Sequence, residues 1–170
     1  MAMLASHALY SQVNNFAPLP YPPRGNYGQA LVDMEMIKHP ELKQVALHVT
    51  PAGVPIESDK DRCIMCSSFG RIGGPDIQED YDVMKSGKEV TELALKLSPK
   101  IPSYYATSAP KFEVMAPLFD STGKIIGVLY LSFGYKKGDN IDAFTKTAHA
   151  IEDELKQRIP SKDALLAPAS

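Results

Sequence analysis

The stretch KFEVMAPLFDSTGKIIGVLYLSFGY, residues 111–135, decides the fold of this chain. Two runs rich in β-branched and aromatic residues flank the tetrapeptide DSTG at residues 120–123, whose composition and length fit a hairpin turn. The second run is apolar on both faces, with Ile125, Leu129, Leu131 and Phe133 on one side and Ile126, Val128 and Tyr130 on the other. We therefore expect this strand to lie at the centre of a sheet that is covered twice.

Upstream of the hairpin, a helical pattern covers residues 29–38. Its apolar positions recur at helical spacing, and a proline two residues beyond it disfavours further helical geometry. The predicted buried stripe consists of Leu31, Met34 and Ile37. Short β-rich runs follow this helix at residues 45–49, 54–57 and 63–69. We expect them to join the hairpin in one sheet.

Residues 75–87 predict a short helix between these early strands and the hairpin. A proline suits its first turn, and a glycine ends it. Its predicted apolar face consists of Ile77, Tyr81 and Met84. Residues 90–97 then alternate apolar and polar side chains, which is typical of a half-buried strand.

After the hairpin, the sequence predicts a last helix that begins after Asp139 or Asn140 and ends before Pro160. Its predicted buried stripe consists of Ile141, Phe144, Ala148, Ile151 and Leu155. Hairpin-linked strands with helices around them indicate an α+β fold, with an antiparallel sheet of about five to six strands flanked by helices. We divide the chain into an N-terminal helix and proline-rich strap at residues 1–27, a single domain at 28–160 and a frayed tail at 161–170.

Composition limits the class of protein. The chain has 170 residues, of which 44% are hydrophobic, and this suits one compact domain. Its 18 basic and 20 acidic side chains form no long block of one sign, so nucleic acid is not an expected partner. No apolar run approaches the roughly 20 residues that cross a bilayer, so we expect no membrane segment in this chain. The four histidines are scattered, and we expect neither a metal nor a cofactor.

Three segments together resemble a known family: VALHVTPAGVPIESD at residues 45–59, SSFGRIGGPDIQEDYDVMKSGK at residues 67–88 and FEVMAPLFDSTGKIIGVLYLSF at residues 112–133. In this order the chain resembles the extracytoplasmic PAS-like sensor domains called Cache domains, in their single-domain form. The resemblance implies a non-catalytic sensory domain that binds a small molecule. It also implies a periplasmic or extracellular location after removal of a signal peptide, with a cytoplasmic location left open. Because no membrane helix or signalling domain follows, we expect a free-standing binding protein.

Arg71 is the first residue of the predicted ligand site. It lies in a glycine-rich loop just before a helix start, where backbone amides and a guanidinium would together receive a carboxylate or a phosphate. The structural alternative is an ion pair between Arg71 and Asp76 or Asp80.

Four tyrosines complete the predicted site: Tyr81 on the short helix, Tyr104 and Tyr105 in the loop at residues 98–110, and Tyr130 on the central strand. A tyrosine offers a large apolar face and one hydroxyl at a small entropic cost, which suits the edge of a ligand pocket. The alternative is that these side chains pack as ordinary core or sheet-edge residues. The ligand interpretation predicts a small metabolite, with a carboxylate as one candidate, between the sheet and its flanking loops.

Cys63 and Cys66 form a Cys-x-x-Cys pair. In a regular strand their Cα atoms would lie roughly 10 Å apart with the side chains on opposite faces, which forbids a disulfide. No second cysteine pair completes a zinc site, and no histidine follows Cys66 as covalent haem attachment requires. Structural thiols are therefore favoured. The alternative is a haem- or redox-responsive sensor that uses both cysteines with a histidine such as His48.

The sequence contains no catalytic signature. No nucleophile elbow or paired-carboxylate cluster is present, and a lone histidine such as His48 is more often a hydrogen-bonded structural residue than a base. A third interpretation is a structural module that forms a homodimer through residues 1–27.

Overall fold

One antiparallel sheet organises the part of the chain that the structure describes. The structure is a computed structural model, and it describes residues 25–50, 63–68, 77–96 and 110–169. Its elements in chain order are α1 (Tyr27–Lys38), β1 (Leu42–Val49), β2 (Cys63–Ser67), α2 (Gln78–Ser86), β3 (Val90–Ala94), β4 (Lys111–Phe119), β5 (Ile125–Gly134), α3 (Ile141–Arg158) and α4 (Lys162–Leu166). The strand order is β2-β1-β5-β4-β3, and every neighbouring pair is antiparallel. The predicted α+β fold with five to six strands is confirmed.

The predicted hairpin connects β4 to β5, and β5 is the central strand. Asp120 closes the turn, because its Oδ1 accepts hydrogen bonds from the Thr122 amide, the Thr122 hydroxyl and the Lys124 amide at 2.9, 2.6 and 3.1 Å. Burial acts to raise the pKa of Asp120, but these hydrogen bonds outweigh it and hold the pKa below its ordinary value. Gly123 supplies the left-handed backbone of the turn, with φ 84°.

The main core lies on one face of the sheet, which we call the core face, under α1, α3 and α4. Strand side chains such as Leu47, Leu131 and Phe133 are fully buried there. From the stripe predicted for α3, Ala148, Ile151 and Leu155 are buried, whereas Ile141 and Phe144 are only partly buried. The opposite face, which we call the α2 face, packs a smaller cluster that contains Val83 of α2 with Met115 and Val128 of the sheet.

The stripe predicted for α1 is wrong at its C-terminal end. Ile37 is 82% exposed, and the fully buried side chain of that turn belongs to Glu35. The buried positions are 28, 31, 32 and 35, which is also helical spacing. This side of α1 faces the core. Gly28 allows the helix to lie close to Cys66 of β2, because a Cβ atom at this position would lie 2.7 Å from the Cys66 Sγ atom.

Two predictions for the middle of the chain are also wrong. The buried residues of α2 are Asp80 and Val83, and Ile77, which was predicted to be buried, is 48% exposed at the N-cap. Asp80 turns this side of α2 towards the sheet because its carboxylate pairs with His48. The strand predicted at residues 90–97 ends at Ala94, and it lies at the sheet edge, where Leu95 after it is 60% exposed.

The expectation of a frayed C-terminal tail is wrong for residues 162–169. Leu165 of α4 is fully buried in the main core. The following residues pair with the start of α1, because the Tyr27 amide donates to the Ala167 carbonyl at 2.8 Å and the Ala169 amide donates to the Gly25 carbonyl at 2.6 Å. The described residues do not include positions 1–24, which hold most of the N-terminal helix and proline-rich strap predicted at residues 1–27, or the run predicted at residues 54–57. None of the described helices combines the length and the apolarity needed to span a membrane.

Candidate functional site

The α2 face carries a group of polar side chains, which we call the polar patch. Its members are Gln44 of β1, Lys111 and Glu113 of β4, and Tyr130 and Ser132 of β5. Strand register places them on one face, because Ser132 lies directly opposite both Gln44 and Glu113. Gln44, Lys111 and Ser132 are 3%, 8% and 0% exposed. Because lysine is rarely buried unless it is paired, the burial of Lys111 indicates that the patch supplies it with partners.

The Tyr130 hydroxyl is the centre of the patch. Its oxygen contacts Glu113 Oε1 in a short hydrogen bond, Gln44 Oε1 at 3.2 Å and Lys111 Nζ at 3.3 Å. A phenol has one proton to donate, and the shorter contact assigns it to the Glu113 carboxylate. The Gln44 Oε1 atom is the alternative acceptor of this proton, and Lys111 Nζ donates to the hydroxyl oxygen.

Lys111 and Glu113 form an ion pair inside the patch. The Lys111 Nζ atom lies 2.7 Å from Glu113 Oε1, and the two side chains are only 10% and 15% exposed. They share a face because they are two residues apart on β4. Glu92 of β3 lies directly opposite Glu113 in the sheet and is exposed. This neighbourhood therefore has no surplus of positive charge among the described residues.

Ser132 is the member of the patch that lacks a hydrogen bond. Its Oγ atom is buried and has no partner among the residues that the structure describes. A buried hydroxyl without a partner costs about 1–3 kcal/mol, so such atoms are uncommon in folded proteins. The Ser132 hydroxyl is thus available as both a donor and an acceptor, between Gln44 and Glu113.

A second polar contact joins the sheet to α2. His48 Nδ1 lies 3.1 Å from Asp80 Oδ2, and the two side chains are 8% and 1% exposed. The same carboxylate oxygen accepts the Ile77 amide at the start of α2, at 3.0 Å. The His48 ring centroid lies 6.3 Å from that of Tyr130, so this pair borders the polar patch. The Nδ1 atom of His48 is thus engaged by Asp80, and the structural role that the sequence favoured for His48 stays a prediction.

The structure describes two of the five predicted ligand residues. Tyr130 lies in the polar patch, and Tyr81 is a half-buried residue of α2. Arg71, Tyr104 and Tyr105 lie outside the described residues. The patch also brings in four residues that the sequence analysis did not single out: Gln44, Lys111, Glu113 and Ser132. The available signal was that Lys111 and Glu113 alternate with apolar residues at the start of β4, on the same face as Tyr130.

Cys66 does not have the properties of a reactive cysteine. It is fully buried under α1, its Sγ atom donates to Asn26 Oδ1 at 3.3 Å, and burial raises its pKa to about 12. The Cys63 side chain lies outside the described part of the structure. The alternative of a redox or haem sensor therefore has no support from the cysteine that can be placed. No group of three or more potential metal ligands occurs among the described residues.

Comparisons with known proteins yield likenesses of structure alone. No protein-family model and no curated protein matches the chain. The chain is similar to the GAF domain of nlh2 from A. aeolicus, crystallised in an inactive state, with a TM-score of 0.55 and 12% identity over 91% of this chain and 93% of that one. The chain has a GAF-like fold. This confirms the predicted PAS-like architecture at the level of the fold, and the assignment to single Cache domains stays a prediction.

Two weaker likenesses have TM-scores below 0.5. One is to type II free methionine-R-sulfoxide reductase from Thermoplasma acidophilum, with a TM-score of 0.48 and 14% identity over 77% of this chain and 90% of that one. The other is to the DcuS sensor domain of E. coli, with a TM-score of 0.43 and 16% identity over 87% of this chain and 96% of that one.

Proposed function

We propose that the chain is a non-catalytic sensory domain that binds a small metabolite on the α2 face of its sheet. The observation that carries the proposal is the buried polar patch around Tyr130. A sheet face that serves only as core is filled with apolar side chains, as the core face is here. Polar groups that converge on a partly enclosed face are instead typical of ligand sites, where a few hydrogen bonds orient the ligand.

The other predicted ligand residues flank this face in the sequence. Tyr81 belongs to α2, which packs on the α2 face. Arg71 precedes α2, and the loop with Tyr104 and Tyr105 leads directly into Lys111. We include all of them in the proposed site.

The described residues support a binding role over catalysis. The Ser132 hydroxyl has no base within hydrogen-bonding distance among the described residues, so nothing placed there activates it as a nucleophile. The thiol of Cys66 is buried and protonated. Neither side chain is therefore a nucleophile for transfer chemistry.

The finer parts of the proposal come from the sequence resemblance. They are the single Cache type and a location in the periplasm or outside the cell. Segment order supports this type, because the early strand and turn, the short helix and the hairpin follow one another as in that family. The homodimer through residues 1–27 is kept as an alternative.

A thermal-shift screen of small metabolites tests the proposal. We expect at least one compound to raise Tm, since a ligand that binds only the folded state stabilises it by mass action. Tyr130→Phe removes the central hydroxyl of the patch and should weaken that compound about tenfold, as the loss of one hydrogen bond of about 1.4 kcal/mol would do. Arg71→Ala and Tyr105→Phe should weaken it as well.

Tyr27→Phe is the matched control, because it removes a tyrosine hydroxyl that donates to the Arg158 carbonyl near the core-face helices. It should leave the shift in Tm unchanged. The proposal fails if no compound raises Tm. It also fails if Tyr130→Phe and Tyr27→Phe respond alike to the compound that does.

A further inference from the structure

We propose that the polar patch takes an uncharged ligand that bears amide or hydroxyl groups, an inference that rests on the proposed function and names its ligand class. The chemistry of the ligand follows from the groups already paired within the patch. This departs from the carboxylate that the sequence offered as one candidate.

The first step concerns anions. Lys111 is the only permanently cationic side chain of the polar patch, and its Nζ atom is already engaged by Glu113 Oε1 at 2.7 Å and by the Tyr130 hydroxyl. An incoming carboxylate would have to displace Glu113 from this lysine. It would also lie beside Glu113 itself and face Glu92 across the strand pair. Because burying a charge without compensation is costly, the patch selects against anions, and Arg71 contributes to the proposed site as a hydrogen-bond donor to an uncharged ligand.

The second step concerns cations. An ammonium group would seek Glu113, whose Oε1 atom already accepts from both Lys111 and Tyr130. It would then lie close to the Lys111 ammonium, in a site where both side chains of the pair are at most 15% exposed. Like charges in such a poorly hydrated place repel strongly, so a cation is disfavoured for the same reason.

The third step concerns the hydroxyl group of the patch that has no hydrogen-bond partner among the described residues. The Ser132 hydroxyl is buried without a hydrogen-bond partner among the described residues, and it can donate one bond and accept another. A ligand amide or hydroxyl offers both functions without net charge. It can therefore bond to Ser132 and leave the Lys111–Glu113 pair intact. A hydrogen bond from the ligand would satisfy the buried Ser132 hydroxyl. The resulting gain in binding free energy orients this ligand.

Probes of the same carbon skeleton that carry an amide, a carboxylate or an ammonium group test the inference. The probes are butyramide, butyrate and butylamine, and benzamide, benzoate and benzylamine, titrated into the full chain by calorimetry. We expect the amides to bind about tenfold more tightly than the ions of the same skeleton. Glu113→Gln leaves Lys111 without its counter-ion, so this variant should bind the carboxylate of each set about tenfold more tightly than the wild type does. Lys111→Met should do the same for the amines.

Control variants separate charge from folding. Lys111→Met/Glu113→Gln removes both charges and should return the preference to the amides, even if either single variant folds poorly. Glu154→Gln breaks the Lys38–Glu154 pair near the core-face helices and should leave all preferences unchanged. If carboxylates or amines bind the wild type best, this inference is wrong and the proposed function stands. If neither these probes nor the metabolite screen gives any binding, both are wrong.

Discussion

Glu35 is a carboxylate that α1 places in the core with no exposed surface. His39 Nε2 lies 3.4 Å from its Oε2 atom, yet neither oxygen accepts a hydrogen bond from a described residue. Burial, and secondarily the nearby Glu154, raise the pKa of Glu35 above its ordinary value of 4.5, against the opposing effect of Lys38, His39 and Arg158. A buried acid of this kind makes the stability of the fold depend on pH.

The sign of this dependence follows from linkage. Because the folded state holds the Glu35 proton more tightly than the unfolded state, its contribution to stability is complete below pH 4.5 and is lost as the pH rises through the raised pKa. Glu35→Gln removes the ionisation, so its free energy of unfolding should fall less between about pH 4.5 and 8 than that of the wild type. Urea denaturation at a series of pH values measures this. Equal slopes in Glu35→Gln and the wild type would contradict the account.

Cys66 gives a second prediction at this scale. With a pKa of about 12, only about one thiol in ten thousand is ionised at pH 8, and the side chain is fully buried. In Cys63→Ser, which leaves Cys66 as the single thiol, a chromogenic disulfide reagent should react slowly in the folded protein and rapidly in urea. Rapid reaction of the folded protein would instead support the alternative of a redox-responsive sensor.

At the scale of elements, the predictions that depend on local sequence are confirmed. The predictions that depend on contacts between distant segments are wrong. The β4–β5 hairpin follows from its turn residues and from a strand that is apolar on both faces. The ends of α1 and α4 depend on partners distant in sequence: Gly28 brings α1 onto Cys66 and Leu165. The apolar pattern of α1 does not contain that contact, so it predicts a buried Ile37 and does not single out Glu35, which is the buried residue.

The contact between β1 and β5 depends on a glycine. A Cβ atom at Gly127 would lie 2.2 Å from the His48 carbonyl oxygen, which is backbone and cannot move aside cheaply. Gly127→Ala should therefore lower the free energy of unfolding by about 1–3 kcal/mol in urea denaturation. Gly134→Ala on the same strand meets only the Lys43 side chain and should change it by less than about 0.5 kcal/mol. Equal effects of the two substitutions would show that the close approach is absent.

The short helix α4 is an integral part of the core. Leu165 is fully buried, so Leu165→Ala should cost about 2–5 kcal/mol of unfolding free energy. Ile37→Ala removes an apolar side chain that is 82% exposed and should cost less than about 0.5 kcal/mol. Thermal and urea denaturation of both variants measure this difference. A loss below about 0.5 kcal/mol in Leu165→Ala would mean that α4 is only loosely attached.

At the scale of the whole molecule, we assign different roles to the two faces of the sheet. The core face supplies stability through α1, α3 and α4, and the α2 face carries the polar patch that we propose as the ligand site. Sequence alone predicted the central strand, which the structure confirms, and its prediction of Tyr130 as a ligand residue stays a prediction. It could not identify Gln44 as a neighbour of Ser132, because that contact is set by the register between β1 and β5.

The most direct test observes the Tyr130 ring while a ligand binds. Tyrosine-labelled protein gives NMR signals that Tyr130→Phe and Tyr27→Phe assign, and the compound from the metabolite screen is then titrated in. We predict that the Tyr130 signal shifts along the binding isotherm while the Tyr27 signal stays in place. A titration that binds but moves Tyr27 and leaves Tyr130 unchanged would contradict the claim that the α2 face is the binding site.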